Sequence, residues 1–341
     1  MPIVLKPQKG RRMFRLKKIL LSARVCAAGV VALGLCSGSG SAAYPERPIR
    51  FIVPSSAGSG PDVIARIFAQ RWSGVLGQQI VVDNRAGANS IIGTELVARA
   101  TPDGYTLLIT SGSHTINPHV YRKLPYDTLN DITPISEIVK SSGLVLVVHP
   151  TSPLRTVQLM VDAARAAPGK YAYASAGVGN LQHLAGEMFC QMAGVKITHV
   201  PYKGGGPAIN DVLANQIAMN FASSPASVPF VKTDRLRGVA FTGLKRTEQL
   251  PDVPTLDESG LKGYEISGWY GIYGPARLPK PILNRLYEAA RTVMQNPDTR
   301  KTYSEINIEI TGTTPDEFAR FLRADLEKYG KIVKSAGIAP Q

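Results

Sequence analysis

Cysteine is scarce: the 341-residue chain has three, and two of them, Cys26 and Cys36, fall within its apolar start. Removal of that start leaves Cys190 alone, so no intramolecular disulfide can brace the remainder, whose stability must come from an apolar core. Long hydrophobic runs are missing as well. Beyond residue 43 none reaches the roughly 18 to 20 residues needed to cross a bilayer. Acidic residues are absent from the first 43 positions, where eight of the 39 Lys and Arg lie. The rest of the chain holds 31 basic against 25 acidic residues, so the overall charge of +14 shrinks there to +6. That excess is dispersed, without the clustered basic stripe and interleaved aromatics of a nucleic-acid surface. A modest positive balance still favours anionic solutes through long-range steering.

What is present begins with an export leader. The basic stretch from Lys6 to Lys18 leads into "VCAAGVVALGLC" and then into small residues ending Ser41-Ala42-Ala43. This predicts a signal peptide over 1–43, cleaved between Ala43 and Tyr44. "RRMFRLK" resembles a twin-arginine pattern, but a start at Met13 would remove Arg11 and Arg12, and the general route is the reading taken. Leu35 is too bulky for a lipoprotein box ending at Cys36. The 298 residues that follow suffice for two cores.

From Ile49 onward short β-branched runs alternate with amphipathic stretches of 10 to 15 residues. Strands are expected at 49–53, 79–83, 105–110, 144–149, 171–175, 197–200, 217–222, 236–241 and 269–273. The alternation argues for βαβ units, parallel sheets and an α/β class. The last helix is the best marked: Thr314 caps it, Pro315 opens it and Glu317 completes a capping box. Phe318, Phe321, Leu322, Leu326 and Tyr329 then form one stripe before Gly337. Connections near Ser141-Ser142-Gly143 and over Gly260 to Trp269 are the candidate crossings between domains. They would divide the chain into 44–142, 143–265 and 266–341, the last returning to the first domain.

"FIVPSSAGSGPDVIAR", Phe51 to Arg66, is a buried strand breaking into small residues before a helix. Similar small-residue loops follow other strands: "SGSHTIN" (111–117), "AGVGNLQH" (176–183), "KGGGPAIN" (203–210) and Ser223-Ser224-Pro225. Ligands of open α/β sheets gather at the carboxyl ends of strands, where helix N-termini also point. Short side chains let a carboxylate approach bare N–H groups, and each helix adds about half a positive charge. These loops are expected to converge on one anion-binding cleft. The plain alternative for each loop alone is a tight turn that glycine permits.

Rival chemistries are weaker. Gly58-Ser59-Gly60, with Asp83 on the next strand, imitates a dinucleotide fingerprint, but Val63 stands where the third glycine belongs. No GxSxG elbow exists, and Ser113-His114 are merely neighbours in sequence. His183, Glu187 and Cys190 share a helical face that could hold a metal, although Leu181, Leu184 and Met188 make them the margin of an apolar stripe. Trp269, Tyr270 and Tyr273 read as a sheet face under a helix, with one ring able to reach the cleft. His119 and Tyr121 read as loop packing, and Arg85 as a loop brace.

Taken in order, "YPERPIRFIVPSSAGSGPD", "VVDNRAGANSIIGTELVARATPDGYTLL", "INPHVYRKLPYDTLNDITPI", "HVPYKGGGPAINDVLANQIAMNF" and "LPDVPTLDESGLKGYE" resemble the extracytoplasmic solute receptors of tripartite tricarboxylate transporters, the Bug family. The resemblance implies a two-domain, type II-like periplasmic-binding-protein fold of the Venus flytrap kind, each domain a mainly parallel sheet flanked by helices. It implies a monomeric periplasmic receptor, not an enzyme, that closes over a small carboxylate and delivers it to a membrane permease, with no cofactor, metal or nucleic acid. Carried onto this chain, the ligand contacts are Ser55, Ser56, Ala57, Gly58 and Asp62, then Ser113, His114 and Thr115, then Ser175, Ala176, Gly177, Gly179 and Asn180, with Ser223 at the distal end. The family usually has an aromatic residue after the proline and two adjacent glycines further on, where this chain has Ser55 and Ser59. Loss of that ring removes an apolar wall and points to a more polar or bulkier ligand. The readings kept open beside it are a periplasmic enzyme or nucleotide-binding oxidoreductase on a similar scaffold, and a receptor reused for signalling.

Overall fold

The computed structural model describes residues 1–4 and 44–335. The basic stretch and apolar run of the expected leader, its cleavage after Ala43, and Gly337 lie outside them. The chain order is β1 (Ile49–Val53), α1 (Gly60–Leu76), β2 (Ile80–Asn84), a 3-10 turn (Ala88–Ser90), α2 (Ile91–Ala98), β3 (Thr106–Ser111), α3 (Ser113–Val120), β4 (Ile132–Ser141) and β5 (Leu144–Val148). It continues through α4 (Val157–Ala166), β6 (Ala172–Ser175), α5 (Leu181–Ala193), β7 (Thr198–Pro201), α6 (Gly205–Leu213), β8 (Met219–Ser223), α7 (Ser224–Lys232) and β9 (Arg237–Phe241). The last elements are β10 (Gly268–Pro275), α8 (Lys280–Gln295), α9 (Pro297–Ser304), β11 (Glu309–Ile310) and α10 (Pro315–Ser335).

Two sheets result, ordered β11-β4-β10-β3-β1-β2 and β7-β6-β8-β5-β9. The α/β architecture expected from the alternation holds, but the sheets are mixed rather than mainly parallel. β1 runs parallel to β2 and β3, and β6 parallel to β7 and β8. β10 is antiparallel to β3 and β4, and β5 is antiparallel to β8 and β9. The reversals come from the strands beside the two crossings between sheets, which enter without a preceding crossover helix of their own sheet.

Local sequence explains the elements that frame the cleft. In α1, Ile64, Phe68, Trp72 and Leu76 recur on one face and are buried, with Phe68 and Phe51 edge-on to Trp72 at 5.3 and 5.8 Å. Each such side chain contributes roughly 1.5–3 kcal/mol of burial. Gly77, at φ 73°, ends the helix by donating its N–H to Ser73 O, the left-handed turn that glycine adopts without cost. α10 begins with the expected capping box: Glu317 N donates to Thr314 Oγ1 at 3.3 Å while Glu317 Oε2 accepts from Thr314 N at 2.9 Å. Its buried Phe318 and Leu322 pack with Trp269 and Tyr273 of β10.

The connections between the sheets, a two-residue outgoing link and a return over residues 242–267, are mutually tied. Ser142-Gly143 alone separates β4 from β5. Thr242 Oγ1 accepts from Leu144 N at 2.7 Å and donates to Ile266 O at 2.7 Å, so the outgoing and returning segments share one hydroxyl. Asn307 adds a third strap, accepting from Thr247 Oγ1 at 2.6 Å and donating to Ser224 Oγ at 3.2 Å.

Candidate functional site

A cavity of about 220 Å³ lies between the sheets, walled by the β1–α1 loop, residues 87–90, the end of β3, the β6–α5 and β7–α6 loops, Ser223 and the start of β10. The N-cap residues of α1, α2, α3, α5, α6 and α7, namely Ser59, Ser90, Gly112, Asn180, Gly204 and Ser223, all line it. Only Asn180 caps its helix with a side chain, accepting from His183 N at 2.9 Å. The other five make no side-chain cap. Away from the cavity, Thr156, Asn296 and Thr314 cap α4, α9 and α10 through their side chains, whereas α8 starts on Pro279 without one. A helix start without a cap leaves N–H donors and positive dipole ends directed at whatever lies in front. Among the described residues of the wall none is acidic, and Lys203 is the one cation.

Residues 88–90 are strained. Ala88, Asn89 and Ser90 have φ of 44°, 47° and 75°, a left-handed run without glycine. The surroundings fix it: Asn89 Nδ2 donates to Asn117 Oδ1 at 2.7 Å, Asn117 Nδ2 donates to Asn89 O at 2.8 Å, and Ser113 Oγ donates to Asn89 Oδ1 at 3.2 Å. Strain that a hydrogen-bond cage enforces beside a cavity is characteristic of a built site.

Of the residues expected to meet a ligand, Ser55, Ser113, Ala176, Gly177, Asn180 and Ser223 line the cavity. The structure draws the others off the wall, each for an identifiable reason. Ser56 Oγ instead accepts from Gly206 N, at 3.1 Å, and Ala57 presents its carbonyl toward Gly206. Gly58 N donates to Asp62 Oδ2 at 2.9 Å, and Asp62 also accepts from Arg66 Nε and Asn84 Nδ2, each at 3.0 Å. Burial opposes the charge of Asp62, but these donors outweigh it and hold the carboxyl below its usual range. Asp62 is therefore the brace of its own loop.

His114 points into the core, its Nε2 2.9 Å from Thr128 O between the rings of Tyr126 and Tyr273. Burial lowers its pKa to about 4, against the Thr128 contact that raises it. Thr115 Oγ1 donates to the buried Asp325 Oδ2 at 2.7 Å, which also accepts from Trp269 Nε1 at 3.0 Å. Ser175 and Gly179 lie under the β6–α5 loop. Ser175 Oγ accepts from Gly177 N at 3.2 Å and sits 2.6 Å from His199 Nε2; Gly179 N donates to His183 Nδ1 at 3.0 Å. The two imidazoles stack at 4.0 Å. Burial, then the neighbouring His183, lower the pKa of His199 to about 3.

The metal alternative loses its geometry. His183 spends Nδ1 on Gly179, Glu187 accepts from Tyr173 Oη at 2.6 Å, and burial pushes the Cys190 thiol up to about 11. Among the described residues no three His, Cys, Asp or Glu are placed to hold a metal ion. Asp83, the acid of the imitated dinucleotide fingerprint, lies between Arg50 and Arg85 at 2.5 and 3.0 Å, so Arg85 is the brace expected of it.

Sequence reasoning did not nominate Ser59, Asn89, Gln182, Tyr202, Lys203 or the Gly204-Gly205 pair, all on the wall. Ser59, Gln182, Lys203, Gly204 and Gly205 lie in stretches singled out for their small residues, where the missing signal is direction; Asn89 and Tyr202 lie outside those stretches. Tyr121, read as loop packing, lines the cavity and donates to Val178 O at 3.3 Å. Of the three β10 aromatics, Trp269 and Tyr270 reach it.

Two mixed sheets joined by two crossings, with a cavity ringed by helix N-termini, define the periplasmic-binding-protein class. The chain belongs to the tripartite tricarboxylate transporter family receptors, whose family model matches residues 64–338. It is 35% identical over 308 residues to the UPF0065 protein in the tcbD-tcbE intergenic region of Pseudomonas sp. strain P51, covering 89% of this chain and 91% of that one. The solved periplasmic binding protein BugD superposes with a TM-score of 0.84 at 30% identity, over 87% of this chain and 100% of its own. R. palustris Rpa4515, solved with adipate, superposes with a TM-score of 0.84 at 32% identity, over 87% and 100%.

Proposed function

We propose that this receptor binds a small carboxylate in the cavity between its sheets and presents it to the membrane permease of a tripartite tricarboxylate transporter, working in the periplasm after loss of residues 1–43. One observation carries the reading: five helix starts whose own N-cap residues supply no side-chain cap face a wall that has no acidic residue among those described. A carboxylate there exchanges its hydration for preorganised N–H groups and dipole ends. The adipate complex of Rpa4515 supports the ligand class, and the family supports the partner. In this reading residues 44–142 and 266–341 form one lobe and 143–265 the other. The lobes close about the Ser142-Gly143, Thr242 and Asn307 ties, because a ligand touching both favours the closed state by its differential contacts.

The test is a thermal-shift screen of residues 44–341 against mono-, di- and tricarboxylates, followed by calorimetry. A carboxylate that binds at micromolar level without being turned over supports the receptor. Binding confined to non-acids, or chemical conversion of the bound acid, sinks it.

A further inference from the structure

Around the start of α1 the cavity wall changes character. Ser59 Oγ and Gln182 Oε1 are buried without a hydrogen-bond partner, in residues exposed by 2% and 8%. Tyr270, 7% exposed, has no hydrogen bond to its hydroxyl among the described residues, nor does the Ser223 hydroxyl donate or accept. The four are neighbours. A Cβ placed on Gly60 would lie 2.5 Å from Ser223 Oγ and 2.8 Å from Tyr270 Oη, and one on Gly205 would lie 3.5 Å from Ser59 Cβ and 3.7 Å from Gln182 Nε2. The far wall differs sharply, since Asn89, Ser113 and Asn117 satisfy one another.

Buried polar atoms without partners, as Ser59 Oγ and Gln182 Oε1 are, are costly, and native proteins keep them where something else completes them. Three of these four groups are hydroxyls that both donate and accept, and the fourth is an amide oxygen that only accepts. Burial keeps the Tyr270 phenol protonated, hence a donor. A carboxylate oxygen set against Gln182 Oε1 would meet an acceptor with another acceptor. A hydroxyl can donate to that oxygen while accepting from Tyr270 or Ser59. Within the carboxylate-receptor reading, on which this rests, we infer that Ser59, Gln182, Ser223 and Tyr270 form a specificity pocket for a neutral hydroxyl borne by the acid. The preferred ligands are hydroxy acids, with the acid group on the helix starts and the hydroxyl on the four side chains. A site built around a ligand hydroxyl rejects the analogue that lacks it, because its own polar groups are then left unpaired.

The experiment is calorimetry of residues 44–341 with acids paired by one hydroxyl: lactate and propionate, malate and succinate, 2-hydroxyglutarate and glutarate, mandelate and phenylacetate. At least one hydroxy acid is expected to bind tenfold or more tightly than its partner. In the Gln182→Leu/Tyr270→Phe double variant, checked by circular dichroism for native fold, that ratio is expected to fall to within threefold of one. Equal affinities within every pair for the unaltered protein overturn the hydroxyl pocket and leave the carboxylate receptor standing. So does a ratio that survives in a folded double variant. Failure of all four hydroxy acids to bind overturns the hydroxyl pocket, and the receptor reading falls only if the wider carboxylate screen fails as well.

Discussion

Ser56 Oγ accepts a hydrogen bond from Gly206 N at 3.1 Å, so the β1–α1 loop of one sheet caps the first turn of α6 beneath the other. Ser56 stands off the cavity wall, and in the closure proposed above it ties the two lobes. In that reading Ser56→Ala removes a bond of the closed arrangement, worth about 1 kcal/mol. Calorimetry is expected to give roughly fivefold weaker binding at unchanged stoichiometry; equal affinity would show that the contact does not serve closure.

Gly60 is wedged against Ser223 and Tyr270. A methyl there would lie 2.5, 2.8 and 2.9 Å from Ser223 Oγ, Tyr270 Oη and Ser223 Cβ. Gly60→Ala suits a helix start but crowds the closed form by about 2 kcal/mol, roughly thirtyfold in affinity. Small-angle scattering should find the ligand-bound variant more open than the unaltered protein. Gly74→Ala, with nothing within 4 Å, is the matched control and should keep full affinity with slightly higher stability.

Gly177 has φ 139°, so any replacement there mixes strain with electrostatics. Gly205 separates the two: its added Cβ meets only ordinary contacts and it sits in the first turn of α6. Gly205→Asp installs a carboxylate on a helix start facing the cavity, standing in for the ligand. Expected are loss of carboxylate binding and a melting temperature at or above that of the unaltered protein. Retained binding would move the acid group elsewhere.

Acid sensitivity follows from the histidines. His114 is held neutral by burial, with a folded pKa of about 4 against an ordinary 6.5. A depressed histidine leaves the unfolded chain binding more protons, so its contribution is complete above pH 6.5 and is lost as pH falls toward 4. At pH 5 the loss is about 2 kcal/mol. His183 and His199, also lowered, act in the same direction, and protonation of His183 Nδ1 removes the acceptor for Gly179 N. Urea denaturation between pH 7.5 and 5 should show stability falling, with a shallower slope in His114→Phe. An identical slope in the variant would exclude His114 as a source.

The strands were readable where apolar residues cluster, as in β1 and β5, and unreadable where buried residues are polar. β4, the longest strand, went unrecognised because Pro134, Ser136, Glu137 and Lys140 interrupt its run, although Glu137 is 1% exposed and Ser136 is fully buried. Distant sequence bonds the strand: Ser136 Oγ donates to Thr313 O at 2.7 Å and Thr311 Oγ1 to the main-chain O of Glu137 at 3.1 Å, while among the described residues the Glu137 carboxyl has only Lys140 Nζ, at 3.5 Å. No local pattern announces partners about 175 positions away. The site followed the same division. Small-residue loops after strands marked the regions, but which atoms face the cavity depended on tertiary bonds such as Asp62 to Gly58 and Thr115 to Asp325.

The ring of helix starts has an evolutionary corollary. Main-chain amides survive nearly every point mutation, so the anchor for an acid group persists while neighbouring residues drift. Ser59, Gln182, Ser223 and Tyr270 can then be exchanged without dismantling that anchor. Descendants of such a receptor would change diet through a handful of codons and keep the same grip.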